Sequence, residues 1–433
     1  MKIGLEVHVS LPTESKLFCS CRTYAEEPNT AICPVCTGMP GSKPVLNERA
    51  LSIAVNIARA LMCKVPTATS FVRKVYFYPD LPKSFQITQK DGPVGVDGKL
   101  FLEDGKEIRI RRIQLEEDPA KILRQDDYTL IDFNRSGTPL VEIVTEPDIL
   151  NEKELREFMT ELKSILYYLG VDIDRELKAD LNISLSDVRV EVKNITGTKN
   201  LLDAAKYEIE RQEKAIKSKQ GIIHETRSYI EKEMSTAPSR EKESDEEYGF
   251  IFEPDLTIYS TKRTNPVKAV YASKLAKEYA NKYKVKEAAM RELILFNRDA
   301  LALIESSKGK YDMKAIITAI ELLQRYVKGK SRTSSETLGK VASLVEKGMY
   351  PDKETILQIE AGKDTNLGGN AASTAEIDKE IKQLIKENSA LLKEYKKNTK
   401  VFNFIVGSVM KKYKANPRLV SERLEKILSS FRQ

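Results

Sequence analysis

The sequence has few cysteines and histidines, and it lacks the long apolar runs that would place it in a membrane. Only five cysteines occur among the 433 residues, and four of them lie between positions 19 and 36. Small secreted proteins instead spread their disulfide-forming cysteines along a short chain. No stretch approaches the ~18–20 consecutive apolar residues of a membrane-spanning helix, and the first residues, MKIGLEVHV, show no secretory signal. These absences predict a cytoplasmic location and no membrane partner.

The usual loops for phosphate binding and hydrolysis are missing as well. The sequence contains no GxxxxGK[ST] loop, no GxGxxG after a strand and no GxSxG turn. A nucleotide, if one is bound, is therefore held outside the common phosphate-loop folds. Phosphoryl transfer still needs metal ions and nearby cations, and basic residues beside sharp motifs could supply the cations. They are Arg73, Lys74, Lys83, Lys121 and Arg135.

The first 200 or so residues show the period-two alternation of β-strands. Apolar and polar residues alternate in IGLEVHVS, PLVEIVTEPD, ADLNISL and VRVEVKN. Such alternation predicts an antiparallel sheet with one packed face and one solvated face. Two helical patterns interrupt it, near Glu48–Met62 and Glu152–Leu169. The predicted fold class is therefore α+β.

The remainder of the chain is predicted to be mainly helical. Leu201–Met234 has a helical, highly charged pattern, Ser235–Tyr248 has the composition of a polar linker, and FIFEPDLTIY returns to strand. After about Pro266 nearly every segment has a helical period. At 433 residues the chain exceeds one ordinary core, so several domains are expected. We predict an antiparallel-sheet cradle domain over residues 1–265, a helical domain over 266–375 and a helical tail domain over 376–433.

Positive charge is concentrated at the end of the chain. The net charge is +7 overall, whereas Leu391–Gln433 contains 11 Lys and Arg against 3 Glu. A basic tail on a nearly neutral body is typical of proteins that bind a polyanion such as nucleic acid. On charge alone, a solubilising helical surface is an equally good interpretation.

The four clustered cysteines are arranged as two pairs. Cys19 and Cys21 form a CSC pair, and eleven residues later Cys33 and Cys36 form a CPVC pair. Two such knuckles can present four thiolates to one tetrahedral Zn²⁺, and four thiolates leave no open position for a substrate. The pattern predicts a structural zinc site, with a redox-active CPVC pair as the less favoured alternative.

Acidic residues recur on the polar faces of the predicted strands. Glu6 and His8 share one face of the first strand. Further acids follow on later strands, namely Glu116, Glu117, Asp118, Glu142, Glu146, Asp148 and Asp180. Like charges across a sheet repel one another, and one imidazole with several carboxylates suits Mg²⁺ or Mn²⁺. From the residues alone, a packing histidine and a solvated acidic face stay open as alternatives.

A series of longer motifs runs through the chain. They are IGLEVHV, SKLFCSC, PNTAICPVCTGMPGSKPVLN, FVRKVYFYPDLPKSFQITQ, QLEEDPAK, DFNRSGTPLVEIVTEPD and ADLNISL, followed later by FIFEPDL and KVFNFIVGSVMKKYKANPRLVSERL. In these motifs the chain resembles the B-subunit family of the aspartyl/glutamyl-tRNA amidotransferases (GatB). The resemblance is nearly continuous over residues 3–200.

This resemblance implies an ATP-dependent ligase that works in a complex with an amidase, the A subunit, together with a small C subunit. The B subunit phosphorylates the side-chain carboxylate of Glu on tRNA(Gln) or of Asp on tRNA(Asn). Ammonia that the amidase releases from glutamine then travels through a channel and displaces the phosphate, which leaves an amide. ATP, Mg²⁺ (or Mn²⁺) and a structural Zn²⁺ are the implied cofactors, and misacylated tRNA is the implied partner.

The resemblance also implies roles for individual residues. The implied Mg²⁺ ligands are His8, Glu117 and Glu142. The implied catalytic group adds Glu6 and Asp180. The implied ATP and substrate pocket with its ammonia route contains Lys74, Tyr76, Tyr78, Lys83, Glu116 and Asn182. The implied zinc ligands are Cys19, Cys21, Cys33 and Cys36, and the implied tRNA-binding residues of the tail are Lys411, Lys412, Lys414 and Arg418.

Two segments depart from the family's usual sequence. Lys178–Asn182 (KADLN) stands where the family usually has Arg-Cys-Asp-Ala-Asn, and Tyr248-Gly249 replaces an aromatic–arginine pair. These departures are consistent with a divergent, archaeal-type member. Because the acids and His8 are intact, an active protein is predicted. The alternative is a tRNA-binding scaffold whose partner carries the chemistry.

Overall fold

The computed structural model describes residues 1–171, 177–239, 249–262, 271–296, 311–327, 335–363, 374–387, 399–413, 415 and 417–430. The chain forms two compact units, Met1–Lys274 and Leu275–Gln433. The first combines strands with helices, whereas the described part of the second contains helices only. The predicted α+β class and the helical C-terminal region are thus confirmed, and the division into three domains stays a prediction. None of the described helices is both long and apolar enough to cross a membrane.

Strands dominate the first unit. They are β1 (Lys2–Ser10), β2 (Ala68–Thr69), β3 (Val72–Val75), β4 (Phe85–Thr88), β5 (Gly95–Phe101), β6 (Glu107–Glu117), β7 (Lys121–Arg124), β8 (Thr129–Asp132), β9 (Pro139–Thr145), β10 (Lys178–Ser184), β11 (Val190–Thr196), β12 (Glu225–Ile230), β13 (Ser235–Pro238), β14 (Gly249–Phe252) and β15 (Tyr259–Ser260). Eight of them form one sheet in the order β13–β12–β11–β10–β1–β9–β6–β5. All its neighbours are antiparallel except β11 and β12.

Three helices pack against the sheet and against one another, with the main core between the layers. They are α1 (Glu48–Ala60), α2 (Glu152–Tyr168) and α3 (Thr198–Lys217). The first two confirm the helices predicted from the apolar period. The α1 helix begins where the side chain of Asn47 accepts hydrogen bonds from two backbone amides of the first turn. On β1 the apolar residues Ile3, Leu5, Val7 and Val9 are at most 1% exposed, as the alternation predicts.

The other face of the sheet is covered over β9 and the end of β6, which corrects the predicted solvated face there, whereas Glu6, His8 and Asp180 stay partly exposed. Every residue of β9 is buried, and so are the last five residues of β6. Strands β14, β3 and β4 form a three-stranded sheet, and β4 packs against β6. Alternation predicts which residues share a face, but it cannot show that a segment distant in sequence covers that face.

The prediction of helix throughout Leu201–Met234 is wrong in its second half. After α3 the chain forms β12, which runs parallel to β11, and then β13. Arg227 on β12 is buried because it forms ion pairs with Glu225 and Glu208. The helical prediction for this charged segment fails here because the charges of Arg227, Glu225 and Glu208 are paired within the fold. Most of the predicted linker, including Tyr248, lies outside the described residues.

Within the described residues, the helices after the first unit's last strand are α4 (Ala272–Tyr283), α5 (Glu287–Phe296), α6 (Met313–Tyr326), α7 (Ser335–Glu346), α8 (Lys353–Glu360), α9 (Thr374–Glu387), α10 (Thr399–Tyr413) and α11 (Pro417–Ser430). Pro351 lies between α7 and α8, and Pro417 begins α11. Ile377, Ile381 and Ile385 follow one face of α9 and belong to a core with residues of α10 and α11.

Candidate functional site

Strand pairing gathers polar side chains on the covered face of the sheet. His8 of β1 is opposite Glu142 of β9, and Glu6 of β1 is opposite Asp180 of β10. Alternate residues of a strand point to the same face, so Glu6 and His8 share this face with their partners. Strand β6 lies beyond β9 and brings Glu116 to the same place.

His8 lies between two buried carboxylates. Its Nε2 atom is 3.5 Å from Glu116 Oε1 and 3.5 Å from Glu142 Oε1. Burial acts to lower the pKa of His8, but the charges of Glu116, Glu142, Asp180 and Glu6 outweigh it and raise that pKa. These side chains therefore form a compact group in which several negative charges surround one imidazole.

The carboxylates of this group have few cationic neighbours among the described residues. Burial, followed by the charge of Glu116, raises the pKa of Glu142 to about 7. Glu142 Oε2 is buried and accepts no hydrogen bond within the described part of the chain; Arg112 Nη2 lies 3.9 Å away. Oxygen-rich sites with one imidazole suit hard divalent cations. His8, Glu116 and Glu142 therefore offer the donor types that suit an ion such as Mg²⁺ or Mn²⁺, although among the described residues the acidic group whose oxygens lie closest together is Glu6, Asp180 and Glu191.

A second carboxylate group continues along the same face. One oxygen from each of Glu6, Asp180 and Glu191 lies within 4.8 Å of the other two. Asn182 donates a hydrogen bond of 3.2 Å to Glu6, and Lys193 Nζ is 3.9 Å from both Asp180 and Glu191. Burial raises the pKa of Asp180 to about 6 even though Lys193 opposes this shift. The acids outnumber the neighbouring lysine.

Glu117 does not join the His8 group, although the resemblance placed it there. Its carboxylate accepts hydrogen bonds from Lys83 Nζ at 2.6 Å and from the backbone N–H of Ile87 at 2.8 Å. The Lys83 and Glu117 side chains are 11% and 7% exposed. Successive residues of a strand point to different sides, so Glu116 approaches His8 while Glu117 forms a buried ion pair with Lys83.

A cavity of about 140 Å³ lies beside this ion pair. Its walls come from residues 35–44, from β3 and β4 with Lys83, and from Glu253 and Asp255. Arg73, in the same wall, forms a two-pronged hydrogen bond with Glu253 at 2.8 and 2.9 Å and lies 4.5 Å from the centre of the Phe85 ring. The cavity is therefore lined by polar and apolar side chains, and Lys83 of the ion pair is one of them.

Of the remaining residues predicted for the pocket and ammonia route, Lys74 lies on β3, whereas Tyr76 and Tyr78 lie in the segment between β3 and β4. Lys74 Nζ is 5.7 Å from the centre of the Tyr76 ring, and Tyr78 is partly exposed. Lys74 is opposite Phe250 of β14, and Gly249, from one of the departing segments, begins that strand. The three residues are thus on β3 or directly after it, and none of them belongs to the acidic group.

The four clustered cysteines meet as predicted. Their sulfur atoms all lie within 4.8 Å of one another, and the Cys33 and Cys36 sulfurs are 3.9 Å apart. A tetrahedral Zn²⁺ with Zn–S bonds of ~2.3 Å separates its sulfurs by about 3.8 Å. A hydrogen bond from the Cys19 thiol is the largest of the effects that lower the pKa of Cys36. The donor set and its spacing fit zinc.

A buried lysine lies directly against the cysteine cluster. Lys16 is fully buried, and its Nζ atom is 3.4 Å from Cys36 Sγ and 3.1 Å from the carbonyl oxygen of Phe133. Ser136 donates a hydrogen bond to the Cys36 carbonyl, and Asn134 accepts one from Ala31. The cysteine segment is thereby tied to the loop that leads into β9, which carries Glu142.

The residues predicted to bind tRNA lie on the last helices. Lys412 of α10 is 56% exposed at its side chain, and its Nζ atom is 2.6 Å from Glu380 of α9. Lys411 is on the same helix and Arg418 is on α11, and Lys414 lies outside the described residues. One of the predicted tRNA-binding cations, Lys412, is thus already paired with an acidic residue.

Sequence reasoning missed several members of the site. Glu191 alternates with valines on β11. This alternation indicated that Glu191 lies on the polar face of the strand, but it did not identify Glu191 as a possible metal ligand. Lys178, from a departing segment, lies 3.7 Å from the buried Asp118, and Lys16 gave no signal because a lysine beside cysteines is usually solvated. Of the other predicted cations, Arg73 pairs with Glu253 and Arg135 with Asp118.

Comparisons with known proteins identify the family of this chain. A family model described as the GatB/GatE catalytic domain matches residues 1–265, and one described as the GatB domain matches residues 339–428. Proteins named as the B subunit of aspartyl/glutamyl-tRNA(Asn/Gln) amidotransferase are 36% identical in Sulfurisphaera tokodaii and 37% identical in Saccharolobus solfataricus, over 99% of each chain. The protein of that name from Persephonella marina is 36% identical over 98% of each chain.

These matches confirm the resemblance that the motifs indicated, and the archaeal relatives agree with the predicted archaeal-type branch. The catalytic-domain model covers more than half of the chain, and the relatives align over nearly its whole length. This chain therefore belongs to the GatB family.

Proposed function

We propose that this chain is the ATP-dependent B subunit of a tRNA amidotransferase. It activates the side-chain carboxylate of Glu on tRNA(Gln), of Asp on tRNA(Asn), or of both, as an acyl phosphate. The observation that carries the proposal is the buried His8–Glu116–Glu142 group in a chain of the GatB family. A carboxylate oxygen is a poor leaving group, and phosphorylation allows ammonia to replace it and form the amide.

His8, Glu116 and Glu142 would hold the divalent cation of this reaction. When bound, Mg²⁺ supplies positive charge that brings the substrate carboxylate and the ATP phosphates together. Glu6, Asp180 and Asn182 then border the same pocket, where they orient the reacting groups. The covering sheet of β14, β3 and β4 excludes water, which would otherwise hydrolyse the acyl phosphate.

The cavity beside Lys83 is our candidate for the last part of the ammonia route. It lies next to the Lys83–Glu117 pair, and Glu117 is adjacent in sequence to Glu116 of the His8 group. Glu117 can accept a hydrogen bond from incoming ammonia, and Lys83 holds its carboxylate in place. This assignment moves Glu117 from the metal site to the ammonia route and keeps Lys83 where the resemblance placed it.

The partners and the structural metal follow from the same family membership. The amidase and the small third protein of the complex, its A and C subunits, would supply ammonia and complete the assembly. The tail with Lys411, Lys412, Lys414 and Arg418 would bind tRNA through its phosphates. Cys19, Cys21, Cys33 and Cys36 would hold a structural Zn²⁺. The cytoplasmic location stays a prediction.

A comparison of two adjacent glutamates tests the proposal. In the complex reconstituted with the A and C subunits, Glu116→Gln is expected to lower tRNA-dependent ATP hydrolysis by about 10²-fold or more, because it removes charge that holds the reacting groups. Glu117→Gln is expected to keep ATP hydrolysis while amide formation from glutamine falls. Both variants are expected to bind misacylated tRNA like the unmodified chain.

The two variants also separate the alternatives. Unchanged ATP hydrolysis and amidation in both would contradict the proposal and favour a scaffold whose partner carries the chemistry. Loss of ATP hydrolysis in Glu117→Gln but not in Glu116→Gln would return Glu117 to the metal site. Assays with each misacylated tRNA would then identify the substrate.

A further inference from the structure

Gly38, two residues beyond the ligand Cys36, is packed directly against Lys83. A Cβ atom at Gly38 would lie 2.6 Å from Lys83 Cγ, 3.1 Å from Lys83 Cα and 3.0 Å from the carbonyl oxygen of Pro82. Its φ angle of +69° also favours glycine. The contact joins the cysteine cluster to Lys83 of the buried ion pair. The roles predicted for these two features do not connect them.

The segment that carries Gly38 is held by the cysteines. The Thr37 side chain and backbone N–H both donate to the Cys33 carbonyl, at 2.8 and 3.1 Å. The Gly38 and Met39 amides donate to the carbonyls of Val35 and Pro34. Tight turns thus fix Gly38 relative to the Cys33–Cys36 pair, and closure of the four-cysteine site fixes that pair relative to Cys19 and Cys21.

Lys83 links the segment that carries Gly38 to Glu117. The Lys83 ammonium is 2.6 Å from Glu117, and Ile87, four residues further along, donates its backbone N–H to the same carboxylate. Val35, Gly38 and Lys83 all line the cavity beside the pair. A shift of residues 33–42 would therefore move one wall of the cavity. It would also displace Lys83, which lines the same cavity.

We propose that the cysteine loop, residues 33–42, is the positioning element for the Lys83–Glu117 pair, with Gly38 as its point of contact. Closure of the four-cysteine site then sets how efficiently ammonia reaches the activated carboxylate. The inference rests on the proposed function, since it assigns ammonia delivery to this pair. Gly38 is a positioning residue: it acts through Lys83 and touches no reacting group.

The test compares Gly38→Ala with Gly41→Ala in the reconstituted complex. Gly41 lies in the same loop and also has a positive φ of +82°, but a Cβ atom there would meet nothing within 4 Å. Both substitutions strain the backbone, and only Gly38→Ala presses on Lys83. Four quantities are measured: tRNA-dependent ATP hydrolysis, amide formed per glutamine hydrolysed, amide formed with added ammonium chloride, and zinc per chain.

For Gly38→Ala we expect ATP hydrolysis and zinc content close to those of the unmodified chain. The amide formed per glutamine hydrolysed is expected to fall about tenfold or more, because small misplacements near a reacting centre are costly. Added ammonium chloride should restore amide formation, since it bypasses the cavity. Gly41→Ala should keep the unmodified ratio. Equal ratios in the two variants would overturn the inference.

A second measurement needs no substitution and decides the question if Gly38→Ala does not fold. Zinc is removed from the unmodified chain with a chelator, and amide hydrogen exchange is followed along the sequence. The inference expects faster exchange at residues 81–87 together with residues 33–42. Opening of 33–42 while 81–87 stay protected would overturn it. Absence of tRNA-dependent ATP hydrolysis in the unmodified complex would instead refute the proposed function itself.

Discussion

At the scale of single residues, the sheet separates neighbours in sequence and unites residues far apart. Glu116 and Glu117 are adjacent, yet one contacts His8 and the other pairs with Lys83. From the motif QLEEDPAK alone, either of the two adjacent glutamates could be a metal ligand. Their different partners follow from strand geometry, because consecutive side chains point to different sides.

Gly98 provides a residue-scale prediction about the core. A Cβ atom at this position of β5 would overlap the Cys63 sulfur and lie 2.7 Å from the Leu61 carbonyl oxygen. Burial raises the pKa of the Cys63 thiol to about 12, so the sulfur stays neutral and packs as an apolar atom. We expect Gly98→Ala to lower the free energy of unfolding by about 1–3 kcal/mol, as overpacking does.

Urea unfolding of the purified chain measures this change. Gly221→Ala is the matched control, because a Cβ atom there meets nothing within 4 Å. It should leave the free energy of unfolding within about 0.5 kcal/mol of the unmodified value. Equal stability of the two variants would show that the neighbours of Gly98 can move apart without cost.

At the scale of elements, charges that look available in the sequence are often already paired. Arg227 on β12 pairs with Glu208 and Glu225. Because these charges are paired, a strand forms in a segment whose charged sequence did not indicate one. In the tail, Arg423 of α11 pairs with Asp378 of α9. Counting charges therefore overestimates how many cations a helix presents to a nucleic acid.

Lys412 and Glu380 give a prediction about the tail helices. Glu380 raises the pKa of Lys412 through a 2.6 Å contact, and it also offsets the positive charge that tRNA would meet. Glu380→Gln should therefore tighten tRNA binding by a few-fold and steepen its salt dependence by about one phosphate contact. Filter binding or fluorescence anisotropy at several salt concentrations measures both effects.

The control removes the same charge elsewhere on α9. Glu387 accepts a hydrogen bond from Gln383 and lies at the end of the helix. Glu387→Gln should change affinity and salt dependence less than Glu380→Gln does. If the two variants bind tRNA identically, Lys412 is not part of the tRNA-binding surface.

At the scale of the whole molecule, the chain divides into two units with different means of stabilisation. Met1–Lys274 has a large sheet, a helical layer and the cysteine cluster, whereas the described part of Leu275–Gln433 is helical. Lys16 connects Cys36 to the Phe133 carbonyl, and Ala31 donates to Asn134, so the cysteine segment is bonded to the residues before β9. A metal there would stabilise the unit that carries the acidic group.

Zinc removal is expected to affect the two units differently. A ligand that binds only the folded state stabilises it by several kcal/mol at high saturation, so a zinc chelator should lower the unfolding temperature of Met1–Lys274 by on the order of 10 °C. The transition of Leu275–Gln433 should not move. Scanning calorimetry with limited proteolysis to assign the transitions measures this, and chelator already saturated with zinc is the control. Equal shifts of both transitions would contradict the expectation.

Much of this molecule could be predicted from local pattern. The apolar period predicted α1 and α2 and the packed face of β1, and the spacing of four cysteines predicted their meeting. Ligands close in sequence need little tertiary information, since short loops bring them together. The motifs also indicated the GatB family before any geometry was known.

What only the tertiary structure decided depends on contacts between distant segments. His8, Glu116 and Glu142 meet because β1, β6 and β9 are neighbours in the sheet, and β4 buries them from the far side. The order of the strands, and the segments that cover the sheet, depend on packing throughout the unit. The local alternation of apolar and polar residues does not determine either of them. The sequence by itself determined the family, helices α1 and α2, and the cysteine site. The fold decided which glutamate faces His8, which one faces Lys83, and that Gly38 lies against that lysine.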